Sequence, residues 1–237
     1  MDRIIKFKNG SLYAILKGLS IRVEADAPLD DIKKVDKKTI YNSEKKIEAI
    51  ISKRINLYKD ECRGYAIKTG RILHLDGDRR YSEKSAKYYK KLGLNAIVKN
   101  IPESKQPNMV KQLLEKYNPD ILVITGHDAM LKKNTNYSNI YNYRNSKNFI
   151  SAVREARKWA KNSNKLVIFA GACQSFFEAL IEAGADFASS PGRILIDFID
   201  PLIVAEKVAI TDRDKFVSSY EIAREIKEGD KGIGGVG

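Results

Sequence analysis

Cysteine and histidine are scarce in this chain. Its 237 residues hold two cysteines, Cys62 and Cys173, and two histidines, His74 and His127. Two thiols with unrelated flanks do not make a disulfide framework, so reduced thiols and a cytoplasmic setting are expected. Neither cysteine belongs to a C-x-x-C pair and the histidines stand apart, so neither a metal site nor a cofactor is expected. No apolar run approaches the ~20 residues of a membrane helix. The opening MDRIIKFKNG has no apolar stretch of the secretory kind. Acidic residues are outnumbered, 30 against 43 Lys and Arg, for a formal net charge of +13. That charge reads as solvated surface that can steer an acidic partner. No basic stripe is interleaved with aromatics, so nucleic acid is not an expected partner. At 43% hydrophobic and 31% charged residues, the composition is globular, sufficient for one main domain and an appendage.

Residues 1–42 read as a small β unit and linker, with strands over 4–7 and 12–25, a turn at Asn9–Gly10 and polar linker over 26–42. A bridging segment, 43–69, carries Ile47, Ile50, Ile51, Ile55 and Tyr58 at helical spacing, with Ser43 as N-cap. Residues 70–237 alternate strand and helix, which predicts a doubly wound, mostly parallel sheet. Its strands are 71–78, 95–101, 121–128 and 166–172, with a fifth within 186–199. Helices are expected over 82–92, 107–117, 147–161 and 174–183, and the remainder reads as helical before a glycine-rich tail, GIGGVG. The 129–146 loop is too long for a simple connection.

Two of these strands end in reactive side chains, ILVITGHD in His127 and LVIFAGACQS in Cys173. Chemistry in a parallel sheet sits at the carboxyl ends of its strands, so a thiol and an imidazole meet if the strands are neighbours. A free cysteine is most often a small buried hydrophobe. Here a strand end before and a helix start after predict a thiol acidified by the helix dipole. Cys62 reads as a bystander and His74 as a packed core residue. Backbone N–H groups of Gly126 and Cys173 are candidates for the oxyanion hole. Asp76 and Asp78, at the end of the first α/β strand, are candidates for recognising a basic substrate side chain, although a DGD turn is their plain alternative. Asp197 and Asp200 are weaker candidates. SSPGR, with Ser189 and Ser190, is a candidate wall of the substrate site.

Chain order separates families. GACQS resembles the elbow of glutamine amidotransferases, but those place His after Cys and no histidine follows His127. In caspase-type peptidases the His precedes the Cys by about 50 residues, and here the separation is 46. That group usually has Gly after the His, where this chain has Asp128. The fold expected is therefore caspase-like (flavodoxin-like) α/β with a small SH3-like N-terminal β appendage. The competing class is a receiver-like or flavodoxin-like binding or switch module, built on Asp76, Asp78, Asp128 and Ser175, although Arg193 stands where a lysine is needed.

KGLSIRVEADAPLDDI, GRILHLDGDRRY, YNPDILVITGHDA, YRNSKNFISAVREAR, LVIFAGACQSFFEALIEAGADFASSPGR and GIGGVG resemble the YabG family of sporulation-specific proteases. The resemblance implies a cysteine endopeptidase with His127 and Cys173 as its catalytic pair. It implies cleavage after arginine in spore coat and cortex-associated proteins, in the mother cell at the forming coat. It also implies a chain trimmed or processed at both ends, with the 129–146 loop and the tail as candidate self-cleavage sites.

Overall fold

The structure, a computed structural model, describes residues 3–7, 9–18, 21–61, 69–131, 136–160, 166–212 and 214–236, apart from the side chains of residues 43 and 58–61. Cys62 and the side chain of Tyr58 lie outside that set. The chain begins with an antiparallel sheet of β1 (Arg3–Lys6), β2 (Leu12–Lys17) and β3 (Glu24–Pro28). Strand β3 reaches into the stretch expected to be linker, with Tyr13 paired to Pro28 and Lys17 to Glu24. Its polar EADAP has no apolar alternation because both of its faces stay largely in water. Helix α1 (Lys37–Glu61) starts earlier than expected. Ser43 falls inside it, and Asp36 does the capping, accepting from the Thr39 N–H at 2.7 Å and the Thr39 hydroxyl at 2.8 Å. Ile51 is buried, Ile47 and Ile55 pack beside it, and Ile50 stays exposed.

The main unit runs β4 (Ile72–Asp76), α2 (Arg79–Leu92), β5 (Ala96–Asn100), α3 (Gln106–Tyr117), β6 (Ile121–Thr125), α4 (Ser146–Ala160), β7 (Val167–Ala170), α5 (Phe177–Glu182), β8 (Phe187–Ser189), α6 (Asp200–Ile210), α7 (Ser219–Ala223) and β9 (Ile233–Gly235). The sheet order is β5-β4-β6-β7-β8-β9. Every pair through β8 is parallel, and β9 returns antiparallel to β8. Strands β4 and β6 are buried at every position, as ILHLD and ILVIT require when helices cover both faces. One core lies against α1, α2 and α6, through Tyr88, Leu92, Phe169 and Leu202. The other lies against α3, α4 and α5, through Leu114, Phe149, Val153 and Leu180. Helix α2 closes at Gly93 in the left-handed conformation, φ 69°.

Two further expectations are corrected. The GIGGVG tail supplies β9. Gly235, at φ 158°, lies so close to the Asp186 backbone that a Cβ there would collide with its carbonyl oxygen. The helix after Cys173 starts only at Phe177 and is six residues long.

Candidate active site

Strands β4, β6 and β7 are adjacent, with Asp76 opposite Thr125 and Ile124 opposite Ala170. His127 and Cys173 each lie three residues past the latter pair. The carboxyl ends of these strands therefore bring Asp76, His127 and Cys173 to one edge.

Cys173 sits in a tight turn, not on a helix. Gly171 has φ 111°, and a Cβ there would stand 2.5 Å from the Ser189 hydroxyl, so this turn needs glycine. Gln174 is left-handed at φ 54°. The turn is braced throughout. Thr125 donates to the Gly171 carbonyl at 2.8 Å, and Ser189 to the Ala172 carbonyl at 2.8 Å. Ser190 Oγ accepts from the Gln174 N–H at 3.1 Å. Ser189 and Ser190, expected to line a substrate wall, are buried and bonded to the backbone around the Cys173 turn. Without a helix start at Cys173 there is no dipole to acidify it. Burial pushes the thiol up to about 11, against the partial help of the Ile196 N–H and the Arg22 charge. The Ile196 N–H donates to Sγ at 3.3 Å.

His127 lies between two carboxylates. Asp78 Oδ2 is 3.9 Å from Nε2 and Glu103 Oε1 is 3.8 Å from Nδ1. Burial nonetheless holds the imidazole below its ordinary range, outweighing both acids, so at neutral pH the ring is uncharged. Among the described residues Nε2 has no hydrogen-bond partner. Glu103 is the functional candidate that sequence reasoning passed over. It accepts the His127 backbone N–H at 2.7 Å. Gly77 and Gly126 make room for it, because a Cβ on either would strike its carboxylate. Its signal was position alone: it follows Ile101–Pro102 at the end of β5, beside the other strand ends.

Asp128 occupies the place of the expected glycine. Its buried carboxylate accepts from the Ser146 hydroxyl, the Ser175 hydroxyl at 2.9 Å, the Asn145 N–H at 2.7 Å and the Ala129 N–H at 2.9 Å. Burial pushes it up to about 6 despite these donors. It ties the His127 loop to the start of α4 and to the turn of Cys173. Asp128 and Ser175, two of the residues a receiver-like module would use, are thus bonded to each other.

Asp76 is fully buried. It accepts from the Asp78 N–H at 2.9 Å and Arg22 Nη2 at 2.8 Å, and His74 Nε2 stands 3.6 Å away. The Arg22 guanidinium and His74 hold its carboxyl well below the usual range, overcoming burial. His74 itself packs in the core, its Nδ1 3.0 Å from the Tyr89 hydroxyl. Asp78 caps α2 through the Tyr81 N–H at 3.1 Å and meets Lys17 Nζ at 2.9 Å. The Tyr81 ring faces the Arg22 guanidinium at 4.7 Å and forms a wall. Asp197 and Asp200 are neighbours across one turn, and burial beside the Asp197 charge lifts Asp200 to about 7. Arg193 turns away, to Glu178 and to the Tyr143 hydroxyl. Among the described residues no group of His, Cys, Asp and Glu is arranged to hold a metal ion.

No solved structure matches this chain. The sporulation-specific protease YabG of Bacillus subtilis (strain 168) is 44% identical over 167 residues, 70% of this chain and 58% of that protein. The chain thus spans under two thirds of the length of that curated relative. The model of the YabG peptidase U57 family matches residues 1–237, and the chain belongs to that family.

Proposed function

We propose that this chain is a cysteine endopeptidase of caspase-like architecture that cleaves protein substrates after arginine. The juxtaposition of Cys173 and His127 at the ends of adjacent parallel strands carries the reading. His127, neutral in its buried setting, takes the thiol proton as Cys173 attacks the peptide carbonyl. It returns that proton to the leaving amine, and water then releases the acyl group. Glu103 fixes the His127 backbone, and its charge, with that of Asp78, favours the transient imidazolium. Backbone N–H groups at Gly126 and Cys173 are the proposed oxyanion donors. The specificity proposal rests on Asp76, a buried carboxylate beside an aromatic face, which suits a guanidinium. The relative is a sporulation-specific protease; from the motif resemblance to that family we propose spore coat and cortex-associated proteins, met in the mother cell, as the substrates.

The test is hydrolysis of short fluorogenic peptides ending in Arg, Lys, Asp or Leu, by wild type and Cys173→Ala in parallel. Arg-selective turnover that vanishes in the variant supports the proposal. Turnover that survives in Cys173→Ala refutes the nucleophile assignment.

A further inference from the structure

Both candidate pocket acids are met by cations of the N-terminal sheet. Strands β2 and β3 form a hairpin whose far end, beyond the Lys17–Glu24 pair, reaches the strand ends of the main sheet. Two side chains of this hairpin meet the two candidate pocket acids, Arg22 on Asp76 and Lys17 on Asp78. Arg22 is 0% exposed, with its guanidinium over Tyr81. Its backbone adds to the main unit as an extended strand does. Ile21 bridges antiparallel to Asp197, and the Arg22 N–H donates to the Ile196 carbonyl at 3.4 Å. The same Ile196 donates its N–H to Cys173 Sγ. The Tyr81 hydroxyl shares its proton between the carbonyls of Gly18 and Ile21, at 2.9 and 2.7 Å.

We infer that the hairpin segment around Arg22 is a tethered, substrate-like ligand: its arginine fills the pocket of Asp76 and Tyr81, its backbone pairs with Ile196–Asp197, and it covers Cys173 until a substrate displaces it. This rests on the reading of that pocket as the arginine subsite. Strand addition to an exposed backbone segment is a standard way for a site to hold an extended peptide. The alternative is a structural staple between the small sheet and the main unit. Arg22 is poorly made for that task. Its Nε and Nη1 have no hydrogen-bond partner among the described residues, and a buried cation with one bonded nitrogen gains little stability over an apolar side chain. A site that must admit many arginines, and hold none of them permanently, tolerates such incomplete bonding.

The consequence is measurable. A tethered ligand acts at an effective concentration of about 1 mM. If its untethered peptide binds at about 0.1 mM, roughly one molecule in ten is open, so removing Arg22 raises access about tenfold. The experiment compares wild type with Arg22→Ala, both verified as folded by circular dichroism. It follows alkylation of Cys173 by iodoacetamide, read on the Cys173 peptide by mass spectrometry, and hydrolysis of an arginyl peptide. Expected is about tenfold faster alkylation in Arg22→Ala. It is slowed again by a synthetic peptide of residues 17–25 and unaffected by the same peptide with alanine in place of arginine. Equal alkylation rates in the two folded proteins overturn the inference. Faster alkylation without hydrolysis leaves the docked hairpin standing and sinks the peptidase reading. Equal alkylation with Arg-selective hydrolysis by both does the reverse.

Should Arg22→Ala fail to fold, wild type alone decides. Cys173 alkylation with a shallow dependence on low urea means the hairpin lifts locally. A dependence as steep as that of global unfolding means the thiol opens only with the whole fold, and the inference falls.

Discussion

Replacing Asp128 with alanine removes the one acceptor shared by four donors, and the consequences divide by pH. The hydroxyls of Ser146 and Ser175 can rotate toward other partners, but the N–H groups of Ala129 and Asn145 cannot. Two stranded backbone donors and two disturbed hydroxyls amount to a loss of about 4 kcal/mol, at about 1–3 kcal/mol for each fully stranded group. Against this stands the cost of ionising a buried acid. The carboxyl titrates near 6 in the fold and near 3.8 when unfolded. Its folded pKa is the higher one, so the native state holds the proton more tightly. Stability therefore falls as pH rises between those values, by about 3 kcal/mol at neutrality. Asp128→Ala lacks that slope. Urea unfolding should find the variant about 3 kcal/mol less stable at pH 4.5, with the gap narrowing to about 1 kcal/mol at pH 7. Arginyl-peptide hydrolysis at pH 7 should fall about 100-fold, because the loop of His127 and the turn of Cys173 lose their common tie and shift relative to each other. A gap that widens with pH would mean that the four donors, and not burial, govern this carboxyl. Undiminished hydrolysis by a folded variant would show that the tie does not position the pair.

Glu103→Gln keeps an acceptor for the His127 N–H but removes a charge that raises the imidazole pKa, so the acid limb of the kcat/KM profile should move to lower pH. An unmoved limb removes Glu103 from the site's electrostatics. Asp200, at about 7 in the fold against 3.8, also loses stability as pH rises through that window. Asp200→Asn should thus melt higher than wild type at pH 8, by an equivalent of up to about 4 kcal/mol, and nearly with it at pH 4; a lower melting temperature at pH 8 contradicts the sign. Gly235→Ala drives a Cβ into the Asp186 carbonyl. It should release β9 to limited proteolysis and lower hydrolysis while the circular dichroism signal persists, and a protease-resistant tail would count against this.

The parallel strands were legible because burial on both faces favours apolar runs; β6 and β7 have them, and β4 keeps one interrupted only by the buried His74. Their ends pointed to His127, Cys173 and Asp76 for the same reason. The helix after Cys173 was misplaced because SFFEAL is a sound helical sequence. What delays it is tertiary: Gln174 is held left-handed by bonds to Ser190 and Ile194. The elevated thiol was invisible for a related reason, since its pKa depends on what covers it. Arg22 lies over 150 residues away from Cys173 in sequence, and no local pattern announces where a hairpin tip will land. Glu103 was hidden by being an ordinary acid before a helix. Only the two glycines opposite, Gly77 and Gly126, mark the space it fills, and each alone reads as a turn residue.

The last strand also sets a timetable. The Ser190 N–H donates to the Gly232 carbonyl at 2.7 Å and the Gly192 N–H to the Lys231 carbonyl at 3.1 Å. The loop that steadies the Cys173 turn thus leans on residues at the far end of the sequence. Folding during synthesis proceeds from the N-terminus, so the hairpin bearing Arg22 leaves the ribosome long before the Cys173 turn gains its final support. If Arg22 covers Cys173 as inferred above, the covering segment is synthesised before the turn that holds the thiol is complete.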